Sequence, residues 1–150
     1  MREIEKLIFH CSATIEGQNI SAATIKRWHV KDRGWSDIGY HYVIGLDGKI
    51  EAGRPVNKQG AHCKGENKTS IGICYIGGLS KNKRAKDTRT EAQKNALIKL
   101  IKTLKNIYPC ATLHGHNEFS KKACPCFKVA VEYAEYQPEG YKLDKDDKGE

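Results

Sequence analysis

Residues 39–54 read GYHYVIGLDGKIEAGR, two runs of strand-forming side chains on either side of Asp47 and Gly48. An Asp-Gly pair accepts the positive backbone dihedrals of a tight turn, so this stretch is expected to form a β-hairpin. Upstream, IEKLIFH at 4–10 has the length and branching of a buried strand, with His10 at its end. Downstream, 70–76 and 110–113 return to strand character, separated from the hairpin by a loop over 55–69 rich in Gly, Asn, Gln and Lys. A loop of that length in a compact domain is usually functional or mobile.

Helices fall between these strands. Ser21 is placed to cap a helix running to about residue 30, in which Ile25, Trp28 and His29 share a face and Gly34 follows as a stop. Thr90 and Gln93 form a capping-box pair, and Leu97, Leu100, Ile101, Leu104 and Tyr108 follow at helical spacing, which makes this the main helix. Residues 80–89, SKNKRAKDTR, read as a solvated connection, 114–127 as a loop, and 127–136 as a last helix. Residues 137–150 carry too few apolar side chains to offset the entropy of ordering and read as a flexible tail. Strands interleaved with helices, plus a hairpin, point to a single α/β domain with a central mixed β-sheet flanked by helices.

Composition narrows the functions. The 150 residues are 39% hydrophobic and 29% charged, values ordinary for a globular chain. The net charge of +8 suits polyanions, yet the basic residues are spread along the chain and no nucleic-acid-binding motif appears, so no specific nucleic-acid partner is expected. No stretch is long and apolar enough to span a membrane or to form a signal-peptide core, and the expectation is a soluble protein without a visible export signal. Six cysteines, at 11, 63, 74, 110, 124 and 126, are then expected to be reduced, with 11, 63, 74 and 110 as buried or half-buried small residues.

Histidines and a cysteine recur at strand ends: His10, His114, His116 and Cys124. Two imidazoles and a thiolate make a three-ligand zinc set that leaves the fourth tetrahedral position to water, as catalytic zinc requires. Spacing alone leaves the choice open, because no compact metal motif is present and Cys126 competes with Cys124 across Pro125.

Several segments, in order from about residue 7 to residue 136, resemble one family: FHCSAT, GWSDIGYHYVIGLDGKIEAGR, GAHCKGENKTSIGICYIGG and HGHNEFSKKACPCF. They are similar to the N-acetylmuramoyl-L-alanine amidases of the phage lysozyme type and to peptidoglycan recognition proteins. The resemblance implies a peptidoglycan-recognition-protein-like fold over residues 1–136, one zinc ion per chain, and peptidoglycan, a muramyl peptide, as substrate. Matched residue by residue, it implies His10, His116 and Cys124 as zinc ligands, the cysteine being the one immediately before the proline. It implies Tyr40 and Lys122 as catalytic residues and places His62 along the substrate groove. Without it, Tyr40 reads as a packed strand residue, and Lys122 and His62 as exposed loop residues. His41 alternates to the face opposite Tyr40 and reads as structural, His29 as packed on its helix, His114 as filler near the site, and Glu118 as an acceptor beside it. Asn117 departs from relatives that carry a second histidine there.

The activity implied is hydrolysis of the amide between N-acetylmuramic acid and L-alanine, in an endolysin-like protein that waits in the cytoplasm or leaves by an unseen route, with a monomer favoured. Two other functions fit less well: a non-catalytic peptidoglycan-recognition module, which Cys124 argues against, and regulation of a phage RNA polymerase, for which no residue here specifies an interface.

Overall fold

The computed structural model describes residues 2–142. β1 (Lys6–Cys11) is followed by the two-residue β2 (Thr14–Ile15) and by α1 (Ala22–Arg33). The hairpin comprises β3 (Tyr42–Ile44) and β4 (Ile50–Ala52), then come β5 (Ser70–Tyr75), the short β6 (Gly78–Leu79) and α2 (Glu91–Ile107). β7 (Thr112–Gly115) and α3 (Val129–Glu132) complete the chain. The main sheet runs β4-β3-β5-β1-β7, parallel except for the antiparallel β3–β4 hairpin, while β2 pairs with β6 in a separate ribbon.

The alternation of β1 divides the molecule. Leu7 and Phe9 enter a core with Ile71, Ile73, Leu113 and the α2 residues Leu97, Leu100, Ile101 and Leu104. A smaller cluster on α1 joins Ala22 and Ile25 to Ile38, Val43 and Ile76. Two strand residues left out of both apolar clusters, His10 on β1 and Ser70 on β5, are buried polar groups.

The caps are those expected. Ser21 accepts from the Thr24 N–H and Gly34 closes α1 in the left-handed conformation; Thr90 and Gln93 form a reciprocal capping box on α2. Gln93 is also fully buried, its amide donating to the carbonyls of Ile44 and Ile76 and so fastening the helix to two strand ends. The hairpin turn closes through Gly45 N–H to Lys49 O, with Gly48 at φ +85°. A Cβ at 48 would lie 2.7 Å from the Ala92 carbonyl, so glycine is required both by the backbone and by the approach of α2.

Several expectations shift. Tyr40 precedes β3 instead of lying within a strand, although its carbonyl still accepts from Arg54 N–H. The strand expected over 110–113 lies at Thr112–Gly115, and Cys110 is exposed. The last helix is broken: the Tyr133 N–H is shared between Val129 O and Val131 O, which tightens the chain into a 3-10 turn over Ala134–Tyr136. The charged 80–89 connection is not wholly solvated, since Arg89 is buried, stacks 3.4 Å over Phe127, and binds Asp87, Glu132 and the Tyr133 hydroxyl. The 55–69 loop is organised by Arg2, whose guanidinium donates to the carbonyls of Val56, Asn67, Lys68 and Ser70. Gln137, in the stretch read as a tail, exchanges two side-chain hydrogen bonds with the Leu113 backbone; residues 143–150 of that stretch lie outside the described residues.

Candidate active site

Parallel pairing explains how distant histidines meet. Phe9 is opposite Gly115 in the β1–β7 register, so His10, still in β1, and His116, just past the end of β7, stand side by side with ring centroids 4.6 Å apart. After His116 the chain makes a short 3-10 turn and doubles back over 117–127. That return is held by the Asn117 amide, which donates to Ala123 O and Phe127 O, and by the Tyr75 hydroxyl, which donates to Pro125 O at 2.7 Å. Cys124 thereby reaches the end of β1, where its sulfur accepts the Cys11 N–H at 3.1 Å.

Ligand atoms of His10, His116 and Cys124 all lie within 4.8 Å of one another. Burial, then His62, His116 and Lys122, hold His10 well below the ordinary histidine range; burial and Lys122 lower His116 as well. Both imidazoles are therefore neutral at pH 7 with a lone pair available, as metal binding demands. Cys126 sits at φ +75° and turns its thiol to the Gly78 carbonyl, 3.5 Å away, outside this cluster.

These three residues form the floor of an open cleft of about 470 Å³ whose walls include Tyr40, His62 and Lys122. Tyr40 packs 5.1 Å from the His10 ring, and Lys122 is exposed at the rim. Burial first, and then the neighbouring thiols of Cys74, Cys124 and Cys11, push the Tyr40 phenol well above its usual range, so it remains protonated. His62 lines the cleft but is only 9% exposed, with its Nδ1 2.8 Å from His10 Nε2.

The remaining histidines have local partners. His41 is buried, accepts the Gly72 N–H at Nδ1 and donates from Nε2 to Lys58 O at 2.8 Å, the structural role expected of it. His114 lies between the Thr112 hydroxyl and Glu118 and is not part of the His10–His116–Cys124 cluster. His29 does more than pack on its helix: Nδ1 accepts the Gly39 N–H, and the ring contributes to the cleft wall.

Sequence reasoning missed the rest of that wall. Trp28, Asp32, Arg33 and Trp35 belong to it, with Arg33 stacked 5.2 Å over Trp35. Trp28, expected to share a face of α1 with Ile25 and His29, is 37% exposed and lines the cleft, whereas Ile25 is buried. The available signal was two tryptophans flanking the Gly34 helix stop, too many large aromatics for so short a helix to bury.

A family model described as N-acetylmuramoyl-L-alanine amidase matches residues 1–127. The chain belongs to the N-acetylmuramoyl-L-alanine amidase family. It is an enzyme of that activity, hydrolysing the N-acetylmuramoyl–L-alanine amide of peptidoglycan. The amidase is 44% identical over 129 residues to the endolysin of Escherichia phage T7, covering 85% of each chain. Among solved structures, the N-acetylmuramoyl-L-alanine amidase LysC from Clostridium intestinale superposes with a TM-score of 0.74 at 30% identity, over 88% of this amidase and 83% of that chain. A variant of Drosophila PGRP-LB in complex with tracheal cytotoxin has a TM-score of 0.74 at 26% identity, over 89% of this amidase and 82% of that chain. The mixed sheet flanked by helices is thus shared with both the amidases and the recognition proteins. Among the described residues, no helix is long and apolar enough to cross a membrane.

Proposed function

We propose that this amidase is zinc-dependent, with one ion held by His10, His116 and Cys124 and with Tyr40 and Lys122 as catalytic residues. The observation that carries the reading is the convergence of two neutral imidazoles and a thiol within 4.8 Å on the floor of the cleft. The donor set fits zinc, which takes nitrogen and sulfur ligands at a tetrahedral centre. When bound, zinc would polarise the scissile carbonyl and bring the pKa of a water to about 7.

The side chains supply what else amide hydrolysis needs. Amides are weak electrophiles with poor leaving groups, so developing negative charge must be met and the departing amine protonated. Tyr40 keeps its proton and acts as a hydrogen-bond donor from the cleft wall, not as a base. Lys122 brings an ammonium to the rim, where it meets the oxygen that gains charge. The open cleft suits a glycan strand with its stem peptide, and the resemblance to a tracheal-cytotoxin-bound structure favours a muramyl peptide as the bound group. Similarity to phage endolysins favours lysis of the host wall by a protein that waits in the cytoplasm until the membrane is opened.

The test compares the wild type with Cys124→Ser and Cys126→Ser in a peptidoglycan digestion that measures released stem peptides, alongside bound zinc. Cys124→Ser is expected to lose both zinc and activity, and Cys126→Ser to keep both. An active, zinc-bound Cys124→Ser protein would overturn the ligand set.

A further inference from the structure

His62 reaches the cleft from the loop between β4 and β5, and its ring is clamped on every side. Nδ1 lies 2.8 Å from His10 Nε2, and Nε2 lies 3.2 Å from the hydroxyl of the fully buried Ser70. The backbone N–H groups of His62 and Cys63 both donate to Asn67 Oδ1 at 2.9 Å, which fixes the loop. The imidazole lies against Gly72, where a Cβ would come within 2.6 Å of two ring atoms, so the seat exists because that strand position has no side chain.

Two ring nitrogens facing each other at 2.8 Å share one hydrogen. A neutral imidazole carries one N–H and one lone pair. Were that hydrogen on His62 Nδ1, His10 would carry its own on Nδ1 and present no lone pair to a metal shared with His116 and Cys124. With the hydrogen on His10 Nε2, His10 Nδ1 is bare, and the His62 hydrogen sits on Nε2, from which it is donated to the Ser70 hydroxyl. The second arrangement alone lets His10 serve as a ligand.

We propose that His62, backed by Ser70, is a positioning residue that sets the tautomer and orientation of His10, so that its effect is on metal affinity more than on substrate contact. The inference rests on the metal reading given above. Partners that orient a ligand in this way are worth about 10–100-fold in metal affinity.

Two measurements test it: zinc affinity by competition with a chromophoric chelator, and ring-nitrogen NMR of the zinc-loaded wild type. His62→Leu should bind zinc about 10–100-fold more weakly. His62→Asn, whose side-chain oxygen replaces the Nδ1 acceptor, should recover most of that loss. In the wild type, the His10 ring proton should reside on Nε2, a result that stands even if His62→Leu fails to fold. Unchanged zinc affinity in folded His62→Leu, with only a raised KM at saturating zinc, would overturn the proposal in favour of a substrate contact. A proton on His10 Nδ1 in the zinc-loaded protein would overturn it too. A wild type that takes up no zinc would overturn the metal reading and this inference together, whereas zinc uptake with unchanged affinity in the variant overturns the inference alone.

Discussion

Tyr40 and Lys122 approach the same cleft with different means, and substitutions should separate them. In the proposed reading, half-buried Tyr40 is a hydrogen-bond donor beside the thiols of Cys74, Cys124 and Cys11. Tyr40→Phe is therefore expected to lower kcat by about 10²–10³-fold, the usual loss for one preorganised donor, with little change in bound zinc. Lys122 is exposed, and the role proposed for it is one of charge, so Lys122→Arg should retain more activity than Lys122→Met, with the difference shrinking as salt is raised. Steady-state rates on a soluble muramyl peptide measure both; equal rates for Tyr40→Phe and wild type would remove the tyrosine from the chemistry. At this scale His10 and His116 were singled out by the family resemblance of their flanking segments rather than by their spacing, and the sequence was open where two thiols flank Pro125. The choice between Cys124 and Cys126 depends on which way a doubled-back loop points, and that is set by Asn117 and Tyr75. The burial of His62 was hidden for the same reason: its partners, His10 and Ser70, are brought to it by sheet pairing.

The capped helix and the hairpin were the most readable elements, because their determinants are local. Thr90→Ala removes the acceptor for the Gln93 N–H and the donor to Leu46 O, and is expected to cost about 1–2 kcal/mol of stability in denaturant unfolding. Gly48→Ala forces a side chain into the left-handed region and against the first turn of α2, so it should cost at least about 1 kcal/mol; a neutral result would mean that the turn relaxes freely. Elements defined by tertiary partners were less legible. The chain after Phe127 has helical composition, yet Arg89 grips Glu132 and Tyr133 at the point where α3 gives way to a 3-10 turn. The shared face of Ile25, Trp28 and His29 on α1 lies partly against the core and partly along the cleft, because periodicity reports a stripe and not what the stripe faces.

For the molecule as a whole, the sheet order brings the polar ends of β1 and β7 together and leaves a set of neutral histidines inside, which ties stability to pH. His41 is the clearest case: burial brings its pKa from 6.5 to about 4, with the Lys58 carbonyl opposing the shift and Arg2 and Arg54 adding to it. Because the folded-state value is the lower one, the unfolded chain takes up a proton that the folded protein refuses. The stabilisation is complete above pH 6.5 and is lost as pH falls toward about 4, amounting to about 3 kcal/mol for this residue. Urea unfolding across that window, with a chelator present so that metal loss does not enter, should show stability falling on acidification; a flat profile would contradict the neutral burial of His41. The α/β class and the order of elements were legible because strand and helix signals alternate along the chain, whereas the pairing of β1 with both β5 and β7, which assembles the site, is a long-range fact that no local pattern encodes. The central claim, a zinc amidase built on His10, His116 and Cys124, is tested most directly by titrating zinc into chelator-stripped protein while following stem-peptide release from peptidoglycan. Activity should be absent at the start and reach its plateau at about one zinc per chain; full activity in the stripped protein, or none at saturating zinc, would contradict it.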